Sequence, residues 1–250
     1  MLRAEGLTVH FGGVHALDGV DLSVATGAVT GLIGPNGAGK TTLFNAVTGL
    51  QPPTRGRVSL DGVDITDTKP HQRARAGVAR TFQRLEVFGT MSVRENVLVG
   101  VDARNSWGAG HRAPRPTTDA LLERVGLMGV ADEPVDVLPT GSARLVELAR
   151  ALATEPRLML LDEPASGLDE TETAALGSLL LDVASEGVGV LLVEHDVELV
   201  NRICADVFVL DFGRLIAHGS PEEIRADPVV QAAYLGEEDP ALEDHAVPAP

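Results

Sequence analysis

Apolar and polar positions follow two rhythms along this chain. Residues 2–10, 20–24 and 57–61 alternate at every second position, with turn signals at Phe11-Gly12-Gly13 and Asp61-Gly62, and predict an antiparallel sheet near the N-terminus. The unbroken apolar runs 29–33, 158–161 and 188–193 have the length of strands buried on both faces. Segment 77–83 reads as a strand ending in a polar residue, and 207–210 with 215–218 as a hairpin closed at Phe212-Gly213. Between these the spacing changes to three and four. Leu145, Leu148 and Leu152 mark a helix that follows Ser142, reaches Thr154 and is stopped by Pro156. Further helices are predicted over 40–48, about 119–125 and 171–186. Ser220-Pro221-Glu222-Glu223 joins a capping box to a proline at the first helical position, and a last helix starts at Asp227-Pro228 and runs through Tyr234. Strands alternating with helices predict an α/β fold with a mostly parallel sheet.

Composition breaks this rhythm at 102–118, where Gly, Pro and polar residues predict a loop long enough to be functional. The loop carries the only tryptophan, Trp107, either a docking residue or a cap on neighbouring helices. No apolar stretch approaches the roughly 18–20 residues that cross a bilayer, and 1–5 lacks the features of a signal peptide. The single cysteine, Cys204, lies on an apolar helical face with no activating neighbour in sequence, which predicts a buried thiol and a cytoplasmic chain. A formal charge of −16 argues against general nucleic-acid binding, although Lys69, Arg73, Arg75, Arg80 and Arg84 form a local basic cluster. Five acids between Glu237 and Asp244 predict a solvated, disordered tail over 237–250.

The chemistry starts directly after the run Val29–Ile33. Gly34-Pro35-Asn36-Gly37-Ala38-Gly39-Lys40-Thr41-Thr42 fits the phosphate-loop pattern between a strand and a helix. Its glycines let successive N–H groups turn toward one anion, Lys40 supplies a point charge for the outer phosphates, and Thr41 offers a hydroxyl to Mg²⁺. The helix behind it adds partial positive charge. The chain is therefore expected to bind ATP or a related triphosphate with Mg²⁺. With that loop upstream, the apolar run ending in Asp162-Glu163 predicts Asp162 as an indirect ligand of Mg²⁺ and Glu163 as the group that polarises an attacking water. Gln83 and His195 each fall at a predicted strand end, where α/β sheets gather ligands, and each is otherwise an ordinary surface residue. Phe11 is either a ring stacked on the base or an aromatic at the core edge.

The order of phosphate loop, Gln83, 138–142, Leu160-Leu161-Asp162-Glu163-Pro164, Ser166-Gly167-Leu168-Asp169 and His195 resembles the ATP-binding cassette ATPases from Leu2 to about Gly236. The resemblance implies a P-loop NTPase core, about 1–83 and 156–220, an antiparallel β subdomain and an inserted α-helical subdomain, about 84–155, within one domain over 1–236. It implies two cassettes dimerised head to tail, docked on transmembrane permease subunits at the inner face of the membrane. Phe11 falls at the adenine-stacking position, Gln83 at the loop that senses Mg²⁺ and couples to the membrane partner, and Glu163 at the catalytic base. Asp169 falls at the loop that communicates across the dimer, His195 at the γ-phosphate switch, and 138–142 at the signature facing the partner's nucleotide. There Pro139 replaces a serine, Thr140 a glycine and Ser142 a glutamine, while Gly141 and the helix remain.

Ala79-Arg80-Thr81-Phe82-Gln83, Val193-Glu194-His195-Asp196, Val146-Glu147-Leu148-Ala149-Arg150 and Ala233-Tyr234-Leu235-Gly236-Glu237 are similar to importer subunits for branched-chain amino acids, and urea and amide importers share much of this. The expected function is ATP hydrolysis coupled to transport, with a heterodimer of cassettes favoured by Pro139. One cassette, one cysteine and no long heptad run set aside the alternative of an ATP-dependent switch protein without a transporter.

Overall fold

The computed structural model describes residues 1–107 and 116–235. The tail 237–250 and much of the predicted loop lie outside these residues. Two sheets form the body. The antiparallel one has the order β2-β1-β4-β5, from β1 (Leu2–Phe11), β2 (Val14–Val24), β4 (Arg55–Leu60) and β5 (Val63–Asp64). The larger has the order β10-β9-β3-β8-β7-β6, from β3 (Val29–Ile33), β6 (Val78–Arg80), β7 (Leu158–Asp162), β8 (Gly189–Val193), β9 (Asp206–Asp211) and β10 (Arg214–Gly219). All of its neighbours run parallel except the edge hairpin β9-β10.

The period of two explains why the central strands are apolar throughout. In β7, Leu158 and Leu160 face one core, shared with the antiparallel sheet and α1 (Lys40–Thr48), whereas Met159 and Leu161 face the other. That second core is closed by α5 (Thr140–Leu152), α6 (Glu170–Ser185) and α7 (Val197–Ile203). Fully burying one such side chain stabilises the fold by roughly 1.5–3 kcal/mol. α3 (Val93–Ser106), α4 (Thr118–Arg124) and two short 3-10 turns pack beside α5, and α8 (Pro221–Ala226) and α9 (Pro228–Leu235) finish the described chain. A short α2 (Pro70–Arg75) leads into β6.

Several boundaries differ from the sequence expectation. β2 begins at Val14 rather than at 20, because register shifts against β1 interrupt the alternation that a reader follows. The strand expected over 77–83 holds only Val78–Arg80. The expected loop at 102 is still helix. α3, started by a Ser92–Glu95 capping box, runs to Ser106, and Trp107 follows as its partly buried C-terminal residue. The basic cluster is split, with Lys69, Arg75 and Arg84 exposed and Arg73 and Arg80 turned inward. Arg73 is buried and donates to Ala46 O and Val47 O, each at 2.7 Å, and to Thr66 O at 2.7 Å. It thereby adds donors at the end of α1, where Ala46 O also accepts from Gly49 N at 3.3 Å. Arg80 is also enclosed and donates to Asn45 Oδ1 at 2.6 Å. Cys204 is buried as expected, but it caps α7 rather than lying within it, and burial pushes its thiol up to about 12.

Candidate active site

Four neighbouring parallel strands, β3, β8, β7 and β6, deliver their carboxyl ends to one edge of the sheet. The loops leaving those ends form a cleft of about 270 Å³ lined by 36–42, Gln83, Asp162, Glu163 and His195. Residues far apart in sequence are thus brought together by strand order.

The loop after β3 turns sharply under Leu210, and a Cβ on Gly34 would lie 2.0 Å from Leu210 O, so only glycine fits there. Gly39, also at positive φ, hands the chain to α1. Lys40 curls back over the loop and donates from Nζ to Gly34 O and, at 2.9 Å, to Pro35 O. Its charge is therefore held at the mouth of the loop, beside the N-terminus of α1, where both favour an anion.

Opposite stand the two acids that end β7. Asp162 is buried, and its Oδ2 accepts no hydrogen bond from a described residue, while Arg80 Nη2 lies 3.7 Å away. Burial pushes its carboxyl above the usual range, Arg80 pulls it back and Glu163 pushes it further. A buried carboxylate oxygen with no donor is suited to a cation or a cation-bound water. Thr41 and Gln83, on the same cleft, add a hydroxyl and an amide. Glu163 has a positive φ of 50°, a costly conformation for a residue with a side chain, and is pinned by its N–H donating to Val193 O at 2.9 Å. Its Oε1 lies 3.1 Å from His195 Nε2 and 3.5 Å from Gln83 Nε2. Glu163, His195 and Gln83 therefore converge on one point above the phosphate loop.

Three expected site residues lie elsewhere. Phe11, at the tip of the β1-β2 hairpin, is 50% exposed and does not line the cleft. Asp169 caps α6 and exchanges hydrogen bonds with Glu172. Gly141 falls in the first turn of α5, one residue inside its start rather than ahead of it, and is buried against Gly167 and Leu168. A Cβ there would lie 2.6 Å from Gly167 O. Pro139 and Thr140 form the exposed tip.

Two residues that the sequence reading passed over touch this machinery. Arg144 is buried in α5 and donates to Phe82 O at 2.6 Å and to Gln83 O, fixing the backbone that carries Gln83. Glu194, only 7% exposed, accepts from Ala165 N at 2.8 Å and His195 N at 3.2 Å. Burial pushes its carboxyl up, and these two N–H groups pull it back. A charge at the end of an apolar strand was the available signal for Glu194; nothing local marks Arg144.

Residues 17–166 match the family described as ABC transporter, and 214–240 match the one described as branched-chain amino acid ATP-binding cassette transporter. The high-affinity branched-chain amino acid transport ATP-binding protein BraF of Pseudomonas aeruginosa is 41% identical, over 95% of this chain and 98% of that protein. LivG of Salmonella typhimurium, described in the same words, is 39% identical over the same shares. Among solved structures, a nucleotide-free ATP-binding cassette from an ABC transporter superposes with a TM-score of 0.83 at 31% identity, over 95% of this chain and 99% of that one.

Proposed function

The chain belongs to the ABC transporter family as an ATPase subunit, and from that premise we propose that it drives import of branched-chain amino acids. The reading of the chemistry is carried by the convergence of Glu163, His195 and Gln83 opposite Lys40 and Thr41. ATP seats its β- and γ-phosphates on the N–H groups of 36–42 and on Lys40, with Phe11 against the adenine. Thr41, Gln83 and Asp162 would hold Mg²⁺, which would supply charge neutralisation on the phosphates. Glu163 accepts a proton as the water oxygen bonds to the γ-phosphorus and the bond to the bridging oxygen breaks, releasing ADP and phosphate. His195 orients Glu163 and contacts the transferred group. The expectation is that Glu163→Gln keeps ATP affinity but lowers turnover by about 10²–10⁴-fold and accumulates an ATP-bound dimer. Near-normal hydrolysis would remove Glu163 from this role.

The solute rests on the relatives' descriptions and on the match at 214–240. Among the described residues no helix is long and apolar enough to cross a membrane. The family supports a solute path in separate permease subunits, with this chain docked at their inner face and a second cassette completing its nucleotide site. A heterodimer fits the exposed Pro139 best, as argued below. Uptake of labelled leucine, isoleucine and valine in cells lacking the chain tests the solute. Loss of urea or amide uptake instead would favour that alternative.

A further inference from the structure

We propose that Glu194 is a positioning residue that holds the Glu163 turn and His195 in register; this rests on the roles given above to Glu163 and His195. The chain makes a demanding turn after β7. Glu163 sits at positive φ, Ser166 N donates back to Glu163 O at 3.2 Å, and Leu168 N to Ala165 O at 3.0 Å. Strain of this kind persists only where the surroundings over-determine it. The Ala165 N–H takes no part in these bonds and donates to Glu194 Oε1 at 2.8 Å. The other oxygen of the same carboxylate takes the His195 N–H at 3.2 Å. One enclosed side chain thus ties the loop after β7 to the loop after β8 directly behind the 3.1 Å contact of Glu163 with His195.

The residue type matters. Two convergent N–H donors need two acceptors, and an ionised carboxylate offers two oxygens and no hydrogen. A glutamine of the same shape offers one oxygen and turns an NH₂ toward the other donor, leaving that N–H without its partner in an enclosed place. Aspartate keeps both acceptors but ends one methylene short. Both substitutions therefore release one loop while sparing the phosphate loop and Lys40, which Glu194 does not bond.

The test is steady-state hydrolysis by the full chain in its assembled transporter, with Glu194→Gln, Glu194→Asp and Glu163→Gln compared. Glu194→Gln should lower kcat about 10–100-fold, the scale of a misplaced reacting group, with the KM for ATP within about twofold. Glu194→Asp should lower kcat in the same way, and the amide proton resonances of Ala165 and His195 should move in both. Parental kcat in both Glu194 variants, beside an inactive Glu163→Gln, overturns this inference alone. Normal hydrolysis by Glu163→Gln overturns the catalytic reading beneath it. A raised KM with unchanged kcat, unmoved amide resonances, or failure of both Glu194 variants to fold would assign Glu194 to another role and overturn the inference as well.

Discussion

Single side chains divide here between those that hold the fold and those that meet the nucleotide. Lys40 donates to the Gly34 and Pro35 carbonyls of its own loop at the mouth of the cleft, and Lys40→Ala should leave the fold intact while nucleotide binding or turnover collapses. Equilibrium binding of a fluorescent ATP analogue, beside a thermal melt, separates the two effects. Phe11 is half exposed on a hairpin tip, and its truncation opens no core cavity. Phe11→Ala should therefore weaken ATP by roughly 1–3 kcal/mol, the scale of base–aromatic stacking, with an unchanged melting temperature. Unaltered affinity would make Phe11 an ordinary hairpin residue. Arg73 shows the opposite profile. Arg73→Met removes the side-chain donors of the Ala46, Val47 and Thr66 carbonyls, of which Ala46 O keeps the Gly49 N–H, and should cost about 3 kcal/mol of stability by denaturant titration.

At the scale of elements, α5 is the part that joins separate functions. Its first turn presses Gly141 onto Gly167, and its middle fastens 82–86. Arg144 bonds Phe82 and Gln83, Glu147 Oε1 accepts from Glu86 N at 2.8 Å, and Arg150 bonds Glu86 O. Arg144→Met frees the Gln83 backbone without touching the phosphate loop, and should lower turnover about tenfold at unchanged ATP affinity. Equal losses in affinity and turnover would argue against this fastening. The period of three and four in Leu145, Leu148 and Leu152 was enough to find α5, and unbroken apolar runs found β3, β7 and β8. Strand ends then placed Glu163 and His195 on one edge, and Gln83 joins them from the loop three residues beyond β6. The pairing of Glu163 with His195 could not be read, because strand order, not sequence distance, makes them neighbours. The interior arginines were misread for a related reason. Arg73 is charged in sequence and becomes a core residue only because the end of α1 lies above it.

For the whole molecule, the proposed head-to-tail assembly gives the exposed tip of α5 a consequence that differs between two copies and two relatives. Pro139 has no N–H and no hydroxyl to offer a nucleotide across an interface. Two identical chains would carry that weakness at both sites, whereas an unlike partner confines it to one. Pro139→Ser in the assembled complex, with this chain's own site disabled by Glu163→Gln, should therefore raise the remaining hydrolysis. No change, or equal hydrolysis at both sites in the unmodified complex, would show that Gly141 and the helix N-terminus suffice. The buried thiol makes a direct view of that interface practical. Cys204, the only cysteine of the chain, is enclosed beside β3 with its thiol pushed to about 12, so maleimide should pass the native protein by until it unfolds. A cysteine placed at exposed Thr140 would then be the one reactive sulfur, and a spin label attached there would report the opening and closing of the assembly with every native side chain but that one in place.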